Sequence, residues 1–162
     1  MFEFKKEGTM GKELIDIINL AISKEQAAYD FYIDLTKTVA DKQAKDALEY
    51  IAGEERKHKE FLIDYRDKGA QGGMTAKTVV DYKIAEHLEA PEPKPGMEQK
   101  DVYLIAAHRE KNAHEFYLSL AAVHGDGDAK NILLKMAEEE LKHKEKMEYF
   151  YTNAAFAQTD GG

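Results

Sequence analysis

The sequence predicts an all-α fold: a four-helix up-down bundle made of two helical hairpins joined by one long crossover. Three observations predict it. The prolines all fall between Pro91 and Pro95, with Gly69, Gly72 and Gly73 shortly upstream, so the breakers gather in one segment and leave a proline-free stretch on either side. In both stretches apolar residues recur at alternating spacings of three and four, as on helices that bury one stripe. The two stretches are also copies: a shift of 85 residues lays Phe31-Tyr32 on Phe116-Tyr117 and Lys57-His58-Lys59-Glu60 on Lys142-His143-Lys144-Glu145, with no gap over roughly 50 residues.

The first helix follows the seam Leu14, Ile18, Ala21, Glu25, Ala28, Tyr32, Leu35, Val39, and the second follows Leu48, Ile51, Glu55, His58, Leu62, Tyr65. In the second half the seams are Tyr103, Ala106, Glu110, Ala113, Tyr117, Leu120 and Leu133, Met136, Glu140, His143, Met147, Phe150. Polar connectors around Asp41 and around Gly125-Asp126-Gly127-Asp128 offer aspartates that can cap the following helix. One domain over 1–162 is expected, with a hairpin at 12–67, a crossover at 68–100, a hairpin at 101–151 and a frayed tail at 152–162. The crossover is expected to hold a short helix near Val79 to Leu88. Its length lets it run back along helices about 40 Å long.

Composition narrows the chemistry. The chain has no cysteine, which excludes disulfide frameworks, Cys-ligated zinc, iron–sulfur clusters and thiol nucleophiles. Any metal must be held by carboxylate and imidazole. A formal charge of -8, from 31 acidic against 23 basic residues, argues against nucleic acid or an anionic membrane surface as partner. No segment reaches the roughly 20 apolar residues of a membrane span. The N-terminal Met-Phe-Glu-Phe-Lys-Lys lacks the order of a secretory signal, so a cytoplasmic location is expected.

Six polar residues occupy core-facing phases of the seams: Glu25, Glu55, His58, Glu110, Glu140 and His143. A buried carboxylate without a partner costs several kcal/mol, and four at one level would also repel one another. Two divalent cations remove both costs, since +4 balances four carboxylates. The spacing fits: Glu55-x-x-His58 and Glu140-x-x-His143 each place two ligands on one helix face, and each follows a seam glutamate, Glu25 or Glu110, by 30 residues. A glutamate from each of two helices and Glu-x-x-His from each of the other two is a known dinuclear carboxylate arrangement.

With these motifs the chain resembles the diiron domain of the rubrerythrin branch of the ferritin-like superfamily, over nearly its whole length. The resemblance implies two iron ions, with manganese or zinc able to take their place, bridged by Glu55 and Glu140. Glu25 and Glu110 would be terminal ligands, and His58 and His143 would each hold one metal. It further implies a non-haem diiron oxidoreductase of peroxidase or ferroxidase type, which reacts with H₂O₂ or O₂ and serves in oxidative stress, and a homodimer. Two features depart from that family. Rubrerythrins usually carry a further glutamate three residues before the one matching Glu110, and this chain has Ala107 there. Many also carry a Cys-ligated rubredoxin domain, so a separate electron donor such as a rubredoxin is expected here. Two other readings remain open at this stage: a ferritin-like iron store with ferroxidase activity, and a metal-free helical interaction module.

Among the remaining side chains, Tyr32 and Tyr117 lie seven residues after Glu25 and Glu110 in the same seams, placed to hydrogen-bond ligands. Tyr29, Phe31 and Phe116 read as core. His108 and His114 fall outside the seam phase, and His87 and His124 have no repeated counterpart. Lys57, Lys59, Lys142 and Lys144 read as solvated helix surface paired with glutamates.

Overall fold

The computed structural model describes residues 11–69 and 81–157. It consists of helices α1 (Lys12–Thr38), α2 (Lys42–Lys68), α3 (Ile84–His87), α4 (Gln99–Ala122) and α5 (Asp128–Ala157), with no strand among the described residues. Among those residues no helix is long and apolar enough to cross a membrane. The prediction for the crossover is narrowed: among the described residues its helix is the single turn of α3, and Val79 and the glycines at 72 and 73 lie outside them.

The connectors stop the helices as their chemistry dictates. Asp41 caps α2, its side chain accepting from the Ala44 N–H at 2.8 Å. Gly69 closes α2 in the left-handed region at φ 62°, where its N–H reaches the Tyr65 carbonyl. Cross-helix contacts fix the directions. Gln26 meets Lys59 and Asn19 meets Arg66, so α1 and α2 are antiparallel. Tyr32 meets Ala106 while Tyr117 meets Ala21, so α4 runs opposite to α1. Since α5 in turn runs opposite to α4, the crossover carries the chain back to the end of the bundle where α1 finishes.

The core is split in two. One apolar cluster joins Leu35, Leu48, Ile51, Val102 and Met147 and receives Ala85 and Met97 from the crossover; the other joins Ile18, Leu62, Ala121, Leu133 and Met136. Between them lies the level occupied by the seam glutamates and histidines, so the apolar clusters clamp a polar layer rather than continue through it.

Two readings of the sequence are corrected. The tail expected from residue 152 is helical through Ala157, because Tyr151 and Ala154 still pack on the first cluster and the Thr152 hydroxyl donates to the Glu148 carbonyl at 3.0 Å; residues 158–162 lie outside the described residues. Lys144 is not solvated. Its side chain is 1% exposed, and its ammonium binds Asp81 at 2.5 Å, Glu86 at 3.0 Å and Glu148 at 2.8 Å. Glu148 in turn accepts the N–H groups of Ile84 and Ala85, fastening α3 onto α5. These three carboxylates have the spacing of a cation site, and Lys144 itself supplies the cation. The other lysines match the expectation more closely: Lys57 pairs with Glu54 and Lys142 with Glu139, while Lys59, partly buried, donates to Gln26.

Candidate metal centre

Each hairpin brings its Glu and its Glu-x-x-His to the polar layer. Four helices therefore supply six side chains, all of them buried: Glu25 from α1, Glu55 and His58 from α2, Glu110 from α4, and Glu140 and His143 from α5. His58 Nδ1 lies 3.5 Å from both Glu25 and Glu140 and 3.8 Å from Glu55. His143 Nδ1 lies 2.9 Å from Glu55, 3.6 Å from Glu110 and 3.8 Å from Glu140. The imidazoles stack with centroids 4.9 Å apart and planes 9° off parallel. Glu55, His58, Glu140 and His143 each offer an atom within 4.8 Å of the others, close enough to surround one ion.

Tyr32 donates to Glu110 Oε1 at 2.6 Å, and Tyr117 donates to Glu25 Oε1 at 2.9 Å. Each tyrosine thus crosses from one hairpin to the carboxylate of the other, fixing one oxygen and leaving the second turned inward. Those second oxygens, Glu25 Oε2 and Glu110 Oε2, have no hydrogen-bond partner, nor do Glu55 Oε2, Glu140 Oε1 and His58 Nδ1. Five buried, convergent, unsatisfied ligand atoms would be costly in a purely structural layer. Hard oxygen and imidazole donors so arranged fit a pair of divalent first-row metal ions.

Protonation in the metal-free layer follows from the same crowding. Burial pushes the Glu55 carboxyl well above the carboxylate range, and the charges of Glu110, Glu140 and Glu25 push it further. Glu140 is raised in the same way, by burial and then by the charges of Glu25 and Glu110. At Glu110 burial is outweighed by the adjacent Glu140 carboxyl and His143 imidazole, which hold it at about 2. At Glu25 burial is likewise outweighed, by Glu55 and His58, and its carboxyl is lowered. Burial opposes the charged form of His58, but Glu139, Glu140 and Glu25 outweigh it and raise its pKa well above the usual value.

Burial and neighbouring charge thus favour the protonated forms of Glu55 and Glu140, the surrounding carboxylates favour protonated His58, and a metal binding at these atoms competes with protons. Apparent affinity for a divalent ion is expected to rise by about tenfold per pH unit for each proton displaced, with release of acid on loading. Competition against a chelator at pH 6 and pH 8, with an indicator dye, measures both; pH-independent uptake would contradict it.

Sequence reasoning missed Glu139. Its carboxylate lies 3.5 Å from His58 Nε2, on the far side of the ring from the layer, and is held at about 2 as His58 and Lys142 outweigh its burial. The doubled Glu54-Glu55 and Glu139-Glu140 of the repeat was the available signal. The other histidines stay out of the layer: His108 binds the Leu88 carbonyl, His114 the Ala137 carbonyl, and His124 pairs with Glu13. Ala107 is wholly buried in the first apolar cluster and adds no carboxylate to the site. A cavity of about 220 Å³ opens between α1 and α4 and reaches Glu25, Glu55, Glu110 and Glu140.

Fold and site together define a ferritin-like helical bundle with a buried carboxylate–histidine cluster suited to metal. The family model described as rubrerythrin matches residues 1–65, which include Glu25, Glu55 and His58. The structure is similar to that of a hypothetical protein from Pyrococcus furiosus at a TM-score of 0.56, covering 89% of this chain and 91% of that one. At 22% sequence identity that likeness is one of fold. No curated protein matches the chain.

Proposed function

We propose that the chain is a non-haem diiron oxidoreductase that reacts with hydrogen peroxide or dioxygen. The observation that carries this reading is the set of five buried, convergent ligand atoms left without hydrogen-bond partners, four on carboxylates whose charge two divalent ions would balance and one on His58. Glu55 and Glu140, which face both imidazoles, would bridge the ions. Glu25 and Glu110 would hold one ion each, and so would the Nδ1 atoms of His58 and His143. When bound, the iron pair supplies the two electrons that reduce peroxide to water.

The protein's own contribution is orientation and access. Tyr32 and Tyr117 pin the outer oxygens of Glu110 and Glu25, so those carboxylates present their free oxygens inward in fixed geometry. Burial raises the Tyr117 hydroxyl far above neutrality, with the Glu25 charge adding to it, so it keeps its proton and serves only as a donor. The cavity between α1 and α4 admits a small oxidant from one side, while the apolar clusters close the layer along the bundle axis. With no cysteine in the chain, we assign the electrons that restore the ferrous state to a separate donor such as a rubredoxin.

The decisive experiment is metal analysis followed by anaerobic titration of the ferrous protein with H₂O₂, read by ferric absorbance. Two ions per chain, oxidised together by one equivalent of peroxide, is the expected result. Full loading with no response to peroxide or dioxygen would refute the oxidoreductase.

A further inference from the structure

The 85-residue repeat also lays Lys24 on Arg109, and each flanks the opening of the cavity over the carboxylate layer. Each cation rests on the phenylalanine of the other hairpin: the Lys24 ammonium lies 4.5 Å from the Phe116 ring centre, and the Arg109 guanidinium carbon lies 4.1 Å from that of Phe31. Those rings pack edge-on against Tyr117 and Tyr32, the two tyrosines that hold Glu25 and Glu110. A symmetric pair of struts thus runs from the cavity rim to the layer. Among the described residues neither Lys24 nor Arg109 forms an ion pair of those the structure shows, and an Arg109 terminal nitrogen donates to the Ala27 carbonyl at 3.5 Å. Arg109 Nε is buried and has no hydrogen-bond partner.

The charge at the rim is opposite to that of the floor. Without metal, the carboxylates lining the cavity disfavour an anion there. Once two metal ions offset those carboxylates, fully as divalent ions and with charge to spare as ferric ones, an anion is no longer repelled, and Lys24 and Arg109, held in place by the rings, add positive charge facing the cavity. The volume of about 220 Å³ suits an ion of a few atoms together with water.

We propose that Lys24 and Arg109 form a cationic collar that binds a small inorganic monoanion in the cavity of the metal-loaded protein. The ligand class includes the conjugate base of hydrogen peroxide, which the collar favours over the neutral molecule. This assignment rests on the dimetal reading, and its test separates the two.

The probe is sodium azide, titrated into the iron-loaded, oxidised protein and followed by difference absorbance. The wild type should bind azide less tightly as salt rises. The double variant Lys24→Gln/Arg109→Gln should bind about tenfold more weakly, the loss expected for two partly exposed charge interactions, and should lose most of the salt dependence. The charge-preserving variant Lys24→Arg/Arg109→Lys should stay near wild type, and so should Lys111→Gln, which removes a cation on α4 that is paired with Glu115. Wild-type affinity in the Gln/Gln variant overturns the collar and leaves the dimetal reading intact. Equal weakening in the charge-preserving variant also overturns it, because shape and not charge would then govern binding. A wild-type protein that takes up no iron refutes both.

Discussion

Replacing Glu55 and Glu140 together by leucine is expected to abolish metal binding while stabilising the metal-free chain by about 1–4 kcal/mol. Both carboxyls are wholly buried, and both are raised by burial and by the charges around them, so the empty protein holds them at a cost. Leucine fills a similar volume and continues the apolar clusters on either side. With metal present the order should reverse, because the wild type alone gains the binding free energy of the ions. Urea unfolding with and without Mn²⁺, beside metal analysis, reads both effects. A variant less stable than wild type in the absence of metal would make the layer a structural ion-pair network, and retained metal would place the site elsewhere.

Lys144→Met should destabilise the protein by about 3–5 kcal/mol, the usual cost of leaving one side of a buried ion pair uncompensated. For a chain of this size that lowers Tm by roughly 10 °C. Methionine keeps the stem of the side chain and removes the ammonium that binds Asp81, Glu86 and Glu148, so Glu148, 0% exposed, is left buried without its cation while it still holds α3. The repeat mate provides the control. Lys59→Met loses only a hydrogen bond to Gln26 and should cost about 1 kcal/mol. The tie should also weaken in acid: at Asp81 burial is outweighed by Lys144 and its carboxyl is lowered, so its contribution is present above the unfolded-state value and is lost as pH falls through the folded one. Similar melting of the two variants would show that Lys144 does not fasten the crossover.

Legibility differed with the kind of signal. Helix periodicity and the breaker segment placed the four long helices, and the six polar seam positions stood out because charge on an apolar stripe has few structural uses. Their meeting at one level follows from the repeat, since matched hairpins bring matched residues together. The end of α5 was not legible, because the mostly small side chains after Thr152 give little apolar stripe, and what holds this turn is the packing of Tyr151 and Ala154 on the first apolar cluster. Lys144 was misread for a related reason. Its surroundings repeat those of Lys59, but Gln26 is replaced by Lys111 and Ile63 by Glu148, and these two breaks remove one partner and supply another.

The sequence by itself determined which residues are available to the site and on which helix face they lie, because helical spacing converts position into direction. It also determined, through the absence of cysteine, that any metal must take oxygen and imidazole donors. Only the tertiary structure decided how the layer is completed: tyrosines that bind the carboxylates of the opposite hairpin, Glu139 behind His58, two cations at the cavity rim, and a crossover pinned by a buried lysine. Each of these contacts joins residues on different helices. Their energies depend on packing angles and burial, which periodicity along a single helix does not encode.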